Sequence, residues 1–224
     1  MQRPLLISYF TRGTLYEKDA QELLHSCHRH GVEIDLEPVD SLGSWDRNCC
    51  YKPTFILRKL RQHQRPVVWV DADALLLQKP SLFDTLTCDL AVRICPDRDP
   101  SDPGKVLTGT VYVAPTEAGI NLLQTWIEVC EEALASRAPG QEVWDQICLR
   151  AILQHLKPAG TIVSLPIPYC AVSDAPEDQP SKKKWVIVHH QASRLYKKFI
   201  NGEVSPFLSG LSAEELRELR PKVE

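Results

Sequence analysis

The sequence predicts an α/β fold with one mainly parallel central sheet, and two observations carry that prediction. First, apolar strand-like segments alternate with helical segments along the first third of the chain, as in a β-α-β-α-β unit. Second, the third strand-like segment, VVWV at residues 67–70, has no polar alternation, which is typical of a strand covered on both faces. A chain of 224 residues has room for one such domain, and we expect no second one.

Two helices are predicted around the first strands. The first begins near Thr14 and Glu17, which have the spacing of a capping box, and ends at Gly31. The second carries Pro53 in its first turn, where a missing N–H group costs nothing. Both helices lie between strands, so the strands that they connect should be parallel.

The remaining elements follow from the same hydrophobic patterns. Strands are predicted at residues 5–10, 32–39, 67–70, 89–94, 106–114, 161–165 and 185–190. Helices are predicted at residues 53–63, 116–137, 141–157 and 212–219. The segments 96–105 and 173–184 are polar and rich in proline, which is typical of loops.

The composition is that of an ordinary globular protein. Hydrophobic residues make up 43% of the chain and charged residues 25%, which argues against intrinsic disorder. A formal net charge of −3 gives no general attraction to nucleic acid or an anionic membrane, and we expect neither as a partner. No apolar run approaches the roughly 20 residues of a transmembrane segment, and the first residues lack a signal-peptide pattern. We therefore expect a cytoplasmic protein.

The eight cysteines predict neither a disulfide framework nor a zinc site. They are scattered without a C-x-x-C pair, and most have apolar neighbours, among which a thiol packs as a small hydrophobic group. In HSCHRH, residues 25–30, histidines crowd around Cys27. Cys27 continues the apolar stripe of the first helix and the histidines flank that stripe, so a helix surface is the favoured interpretation.

Two aspartates follow the third strand directly, in the sequence VVWVDAD. Ligands of an open parallel sheet bind at the carboxyl ends of its strands, where Asp71 and Asp73 lie. Neighbouring carboxylates repel each other and lose hydration there, so the pair needs compensation. A divalent cation such as Mg²⁺ or Mn²⁺, which prefers oxygen ligands, is one solution. Turn and cap hydrogen bonds are the other, and these residues alone do not decide between the two.

The apolar strand, the D-x-D, the next apolar run and KPSLFD together resemble the GT-A fold nucleotide-diphospho-sugar glycosyltransferases. The similarity is closest to the glycogenin-like group and the related plant and bacterial nucleotide-diphospho-sugar transferases. Further segments agree in order and spacing: YFTRGTLY, NCCYKPTFIL, LTGTVYVAPTEAGINLLQTW, EVWDQICLRAIL and VIVHHQASR. The resemblance implies a single GT-A domain over residues 1–224, a Rossmann-like α/β/α sandwich with a mainly parallel sheet.

The resemblance also implies a metal site. Asp71 and Asp73 match the cation ligands of the family, and a histidine on the last strand completes the coordination of Mn²⁺ or Mg²⁺. Both His189 and His190 are candidates for that histidine, and neutral imidazole suits Mn²⁺. Side chains alternate along a strand, so only one of the two should face the site. We favour His189, because it better matches the family histidine.

Contacts to a nucleotide sugar are expected from several segments. After the last strand the chain departs from the family's lysine-proline-tryptophan and offers Arg194 and Lys197 for the diphosphate instead. Lys52, just ahead of a helix start, is another candidate, with a surface lysine as the alternative. The remaining candidates lie in the turn after the first strand and in the D-x-D: Thr11, Gly13, Thr14, Tyr16 and Ala72.

Asp145 is the candidate catalytic carboxylate. In its predicted helix it shares the inward, apolar face with Leu149, while Gln146 takes the wetter face. The resemblance gives Asp145 and Gln146 a role near the sugar and the acceptor. Thr108 and Gly109 lie in a strand that would pass under the sugar, where glycine allows close approach.

The activity implied is metal-dependent transfer of a sugar from a nucleotide-diphosphate sugar to an acceptor, as in hexosyltransferases. The most similar families use uridine, so the expected donor is a UDP-sugar, while the acceptor is an unknown glycan, lipid or protein. Retention of configuration is favoured over inversion, because the resemblance sets Asp145 in families that mostly retain it. A haloacid-dehalogenase-like phosphatase that uses the D-x-D, and a non-catalytic nucleotide-sugar-binding module, are the alternatives.

Overall fold

The computed structural model describes residues 2–156 and 158–201, so the helix predicted at 212–219 lies outside the described residues. The strands are β1 (Leu5–Thr11), β2 (Ile34–Val39), β3 (Val67–Val70), β4 (Ala74–Leu76), β5 (Leu90–Ile94), β6 (Val106–Val113), β7 (Ile162–Ser164), β8 (Ala171–Val172) and β9 (Ile187–His189). The helices are α1 (Tyr16–Arg29), α2 (Trp45–Cys50), α3 (Lys52–His63), α4 (Glu117–Ser136), α5 (Asp145–Ala151) and α6 (Ser193–Ile200). All seven predicted strands are present.

The described chain forms two compact units. The first contains residues 2–7, 46–70 and 81–166, apart from residue 157, and the second contains residues 8–45, 71–80 and 167–201. The chain leaves the first unit at Val70, and Asp71 is the first residue of the next segment of the second unit. The D-x-D therefore opens a segment that belongs to the second unit.

Six strands form the central sheet, in the order β2-β1-β3-β6-β5-β7. Strands β1 and β3 are parallel, as are β5 and β7, while β6 runs antiparallel to both β3 and β5. One strand, β6, thus runs against β1, β3, β5 and β7, which share one direction, so the sheet is mainly parallel. Strand β3 is buried along its whole length, as its uninterrupted apolar sequence predicts.

A second sheet of three strands belongs to the second unit. Its order is β4-β9-β8, with β4 antiparallel and β8 parallel to β9. Neither β4 nor β8 was predicted, because strands of three and two residues are too short to show a periodic pattern. This small sheet follows the D-x-D immediately, and its central strand ends at His189.

Two helix starts differ from the prediction. The capping box of α1 is wrong: the Thr14 hydroxyl donates to the Thr11 carbonyl at 2.6 Å, and the Glu17 carboxylate accepts from the Gly13 N–H at 2.7 Å. Helix α5 begins at Asp145 rather than at residue 141, because Trp144 has extended backbone angles of φ −119° and ψ 143°. It continues as a π-helical turn over Ile152–Leu156.

No helix among the described residues is both long enough and apolar enough to cross a membrane. The longest, α4, has 20 residues and an amphipathic sequence. Its start is capped by the Thr116 hydroxyl, which accepts the Gly119 N–H at 3.1 Å.

Candidate functional site

The D-x-D forms a turn between β3 and β4. The Ala74 N–H donates to the Asp71 carbonyl at 3.0 Å, which closes a turn around the two residues between them, Ala72 and Asp73. Asp71 is half-buried, whereas Asp73 is buried with 7% of its surface exposed. Turn hydrogen bonds and a potential metal site therefore coexist here, since the turn uses the backbone and leaves both carboxylates for other partners.

His189 joins the two aspartates. The pairing of β4 with β9 sets Ala74 opposite His189, which brings the end of β9 beside the turn. One ligand atom from each of Asp71, Asp73 and His189 lies within 4.8 Å of the other two. His190, which follows the last residue of β9, is half-buried and is not part of this group. The structure thus brings together three of the four predicted metal ligands.

Asp73 and His189 are held as an opposite-charge pair. Asp73 Oδ1 lies 3.9 Å from His189 Nδ1, while Asp73 Oδ2 accepts the Ala192 N–H at 2.7 Å. Burial alone would raise the pKa of the Asp73 carboxyl, but His189 and the Ala192 N–H together lower it. Burial likewise opposes the imidazolium form of His189, yet interactions with Asp73 and Cys170 raise its pKa to about 10.

Asp71, Asp73 and His189 are suitable ligands for a divalent cation that is a hard or borderline Lewis acid. Two carboxylate oxygens and one imidazole nitrogen are ligands that Mn²⁺ accepts, and Mg²⁺ accepts the oxygens. Such ions take about six ligands, so a set of three protein ligands leaves positions for oxygens of another molecule. The pair of carboxylates also has the charge that a divalent cation balances.

The predicted diphosphate contacts lie on α6, in the same unit as the cluster. The Arg194 guanidinium donates to the Asp174 carboxylate, and the Arg194 side chain is 61% exposed. The Lys197 ammonium stands 4.8 Å from the centre of the Trp45 ring. The Trp45 N–H in turn donates to the Asn201 side chain at 2.9 Å, so both ends of α6 are attached to their own unit.

The residues from the end of β1 to the start of α1 include four of the predicted nucleotide contacts. Thr11 is buried, and Gly13 has a positive φ of 67°, a conformation that favours glycine. The ring of Tyr16 meets the ring of Tyr196 edge to face, with centroids 5.2 Å apart. Four predicted nucleotide contacts, Thr11 to Tyr16, therefore belong to the same unit as the metal-binding candidates.

In the first unit, Lys52, Thr108 and Asp145 form a buried polar cluster. Lys52 Nζ lies 2.9 Å from Asp145 Oδ2, and both side chains are 7% exposed. The Lys52 ammonium also donates to the Thr108 carbonyl at 3.2 Å, and the Thr108 hydroxyl donates to Asp145 Oδ2 at 2.7 Å. The inward orientation of Asp145 is as predicted. The alternative of a surface lysine at position 52 is wrong, because its ammonium is neutralised inside the unit.

Gln146 connects this cluster to the loop at residues 96–105. Its Oε1 accepts the Thr108 N–H at 3.3 Å, and its Nε2 donates to the Pro103 carbonyl at 2.7 Å. Arg150 and Gln154, one and two turns further along, donate to the carbonyls of residues 101 and 100. The face of α5 that was expected to be solvated therefore contacts the loop at residues 96–105. Gly109, in β6 beside Thr108, is half-buried.

Two residues beside the cluster were not among the candidates. Cys170 interacts with His189, and Asp174 holds Arg194. Both flank β8, a two-residue strand. Cys170 lies in a short apolar stretch, and Asp174 lies in the predicted polar loop at 173–184. The one available signal was the carboxylate of Asp174 at the start of an acidic, proline-rich segment, which is too common to single out a site.

Comparison with known proteins places the fold but not the family. No protein-family model matches the sequence, and no curated protein is significantly similar to it. A solved glycosyltransferase involved in the glycosylation of the major capsid of PBCV-1 aligns with a TM-score of 0.64 and 15% identity, over 97% of this chain and 98% of that one.

A second similar structure is the glycosyltransferase GlyE of Streptococcus pneumoniae TIGR4, with a TM-score of 0.58 and 12% identity. The alignment covers 100% of this chain and 66% of GlyE. The apo form of GlyE gives a TM-score of 0.57 and 12% identity, over 97% and 63% of the two chains. These likenesses confirm the predicted fold class, an α/β fold with a mainly parallel central sheet that glycosyltransferases share.

Proposed function

We propose that this chain is a metal-dependent glycosyltransferase, a single GT-A domain over residues 1–224 that transfers a sugar from a nucleotide-diphosphate sugar. The observation that carries the proposal is the grouping of Asp71, Asp73 and His189, with ligand atoms within 4.8 Å of one another. The group stands at the carboxyl end of β3, in a fold that solved glycosyltransferases share. Sequence resemblance and geometry support the same residues independently.

In this proposal Asp71, Asp73 and His189 hold Mn²⁺ or Mg²⁺ by two carboxylate oxygens and one imidazole nitrogen. The cation, when bound, would neutralise the charge that develops on the departing diphosphate. His189 must lose a proton to become a ligand, and Asp73 is already ionised because its pKa is lowered. Ala72 lies between the two aspartates in the turn, where its backbone would face the donor.

Arg194 and Lys197 add positive charge for the diphosphate in this proposal. A guanidinium can form two parallel hydrogen bonds with phosphate oxygens, and an ammonium acts as a point charge. Thr11, Gly13, Thr14 and Tyr16 would hold the nucleoside, and uridine is the proposed base because the most similar families use it. The packing of Tyr16 against Tyr196 supports a common role for the two segments.

Asp145 is the proposed catalytic carboxylate, and retention is proposed with it because the resemblance sets Asp145 in families that mostly retain configuration. The Lys52 ammonium and the Thr108 hydroxyl both contact Oδ2, so in this proposal Oδ1 is the oxygen that faces the substrate. Its proposed role is to orient and stabilise the reacting sugar, with Thr108 and Gly109 beneath it and Gln146 as a positioning group.

The proposed acceptor is a glycan, lipid or protein, and the proposed compartment is the cytoplasm. All eight cysteines are free thiols, and seven of them are buried, which suits a reducing compartment. The proposed class is that of hexosyltransferases, by the same resemblance.

A thermal-shift panel tests the proposed activity. UDP-, GDP-, CDP- and ADP-sugars are added to the wild-type protein with Mn²⁺ and, as a control, with EDTA. We expect a UDP-sugar to raise Tm only with Mn²⁺, because ligands that bind the native state stabilise it. If no nucleotide sugar raises Tm, and if p-nitrophenyl phosphate is hydrolysed by the wild type but not by Asp71→Asn, a phosphatase replaces this proposal.

A further inference from the structure

Arg194, a proposed diphosphate contact, forms an ion pair with Asp174, a residue that has no role in the proposed reaction. The ion pair joins the start of α6 to the segment that follows β8, and both residues belong to the second unit. The Arg194 side chain is 61% exposed and the Asp174 side chain 34% exposed. Solvent reaches both charges, so the pair contributes little to stability and can be exchanged for another partner.

Backbone contacts attach the segments that carry Asp174 and Arg194 to the Asp71, Asp73 and His189 cluster. Val172 pairs with His189 across β8 and β9, and the Ser173 N–H donates to the His189 carbonyl at 3.0 Å, so Asp174 follows directly. On the other side, the Ala192 N–H donates to Asp73 Oδ2 at 2.7 Å, two residues before Arg194. Each partner of the ion pair thus lies within two residues of a backbone group that contacts the cluster.

The segment between the cluster and α6 has a defined conformation as well. Gln191 has a positive φ of 56°, unusual for a residue other than glycine, and its carbonyl accepts the Arg194 N–H at 3.0 Å. The far end of α6 is anchored by Asn201, which accepts the Trp45 N–H. Arg194 is therefore presented from a fixed helix start, and its side chain is the part that can change partners.

We propose that Asp174 is an internal competitor for the donor diphosphate: Arg194 exchanges the Asp174 carboxylate for phosphate oxygens when the nucleotide binds. The inference rests on the proposed function and assigns to Asp174, a residue outside the catalytic groups, control of donor affinity. A guanidinium binds carboxylate and phosphate with the same two-pronged geometry, so the two ligands are mutually exclusive. The diphosphate carries more charge and is favoured when present, while Asp174 holds Arg194 in its absence.

The test is a double-mutant cycle on UDP binding. Calorimetry measures the Kd of UDP with Mn²⁺ for the wild type, Asp174→Asn, Arg194→Gln and the double variant. We expect Asp174→Asn to bind UDP about 2- to 5-fold more tightly, the range that an exposed ion pair contributes, since it frees Arg194. Arg194→Gln should bind roughly 10-fold more weakly, because a charge-assisted contact is lost.

The cycle separates exchange from general repulsion. At about 0.5 M salt the Debye length is about 4 Å, so repulsion through solvent is screened. There Asp174→Asn should still tighten UDP binding when Arg194 is present, and by clearly less in the Arg194→Gln background. Asp84→Asn is the charge-matched control, because Asp84 pairs with Arg3 at 3.3 Å in the other unit, and it should leave the Kd unchanged. Asp174→Glu should restore the wild-type Kd.

Several results would overturn the inference. Unchanged or weaker UDP binding by Asp174→Asn would do so, as would equal tightening in the Arg194→Gln background or in Asp84→Asn. Thermal melts of each variant identify any loss of fold. If Asp174→Asn does not fold, Asp174→Ser replaces it, with the same expected tightening because it also removes the carboxylate. If the wild type binds UDP with Mn²⁺ but the cycle shows no coupling, this inference fails alone. If the folded wild type binds no UDP, the proposed function fails with it.

Discussion

Lys52 Nζ lies 2.9 Å from Asp145 Oδ2 inside the first unit, with both side chains 7% exposed. Each residue was assigned a separate candidate role from the sequence, and the structure joins them in a buried ion pair to which the Thr108 hydroxyl adds a hydrogen bond at 2.7 Å. Breaking such a pair from one side leaves an uncompensated buried charge, whereas replacing both members leaves none. The pair therefore ties the candidate catalytic carboxylate to the stability of its unit.

Asp145→Asn should lower the free energy of unfolding by about 3 kcal/mol, because the Lys52 ammonium loses its counter-charge while buried. Urea denaturation measures the loss, and replacing both residues, by Lys52→Met with Asp145→Leu, should recover most of it. Asp84→Asn is the matched control: its partner Arg3 is 62% exposed, so we expect a cost below about 1 kcal/mol. Equal losses for the two single variants would show that the Lys52–Asp145 pair contributes no more than a surface contact.

Turnover and donor affinity should respond differently to two aspartates. Asp145→Asn is expected to lower turnover of the nucleotide sugar with little change in the Kd of UDP and Mn²⁺, because Asp145 is assigned to the reacting sugar. Asp73→Asn should damage both, since it removes a proposed cation ligand. Because the acceptor is unknown, turnover is measured as hydrolysis of the donor, detected by the release of UDP. Unchanged turnover in Asp145→Asn would remove this residue from the proposed mechanism.

Cation affinity should rise with pH, because His189 must release a proton to become a ligand. With a pKa of about 10, the imidazole is protonated at neutral pH in the metal-free protein. Mn²⁺ binding near pH 7.5 should therefore release about one proton, which calorimetry detects as a dependence of the binding heat on the buffer. A buffer-independent heat would mean that His189 is already neutral or does not bind the ion.

The same pKa shift has a consequence for the metal-free protein. The folded pKa of His189 is raised above the ordinary value of 6.5, so the Asp73–His189 pair stabilises the fold fully below that pH. The stabilisation is lost as the pH rises through about 10. The pKa of Asp73 is lowered, so its effect on stability has the opposite pH dependence. The ionised Asp73 carboxylate stabilises the fold above the ordinary pKa of a carboxyl group, and this stabilisation is lost as the pH falls below that range.

One cysteine should react much faster than the others. Cys49 is half-buried and the other seven thiols are buried, and burial raises the pKa of the Cys27 thiol to about 12. A thiol reagent added to the native protein should label Cys49 first, and Cys49→Ser should remove the fast phase. After unfolding, all eight thiols should react. A second fast thiol in the native protein would contradict the packing described for these residues.

The elements that could be predicted are those with a long, repeated pattern. Burial imposes a regular pattern of apolar residues, and this pattern predicted strand β3, the helix that contains Pro53 and the long helix α4. Strand alternation predicted that only one of His189 and His190 would face the metal-binding cluster, and the family resemblance favoured His189, which the structure places there. The patterns of the three elements and the alternation depend on local sequence alone.

The features that could not be predicted depend on contacts between distant segments. Nothing near Lys52 indicates that its partner is Asp145, and nothing near Arg194 indicates Asp174. Thr14 and Glu17 have capping-box spacing, but the Gly13 N–H captured the Glu17 carboxylate instead, so the motif failed for a local reason. Strands β4 and β8 owe their pairing to β9, and their own sequences are too short to show it.

The proposed glycosyltransferase activity depends most on cation binding by Asp71, Asp73 and His189. The direct test is the Kd of UDP measured by calorimetry with Mn²⁺ and with EDTA, for the wild type, His189→Ala and His190→Ala. We expect Mn²⁺ to tighten UDP binding by at least about tenfold in the wild type and in His190→Ala, and we expect His189→Ala to lose this gain. Equal UDP affinity with Mn²⁺ and with EDTA in the wild type would contradict the proposed activity.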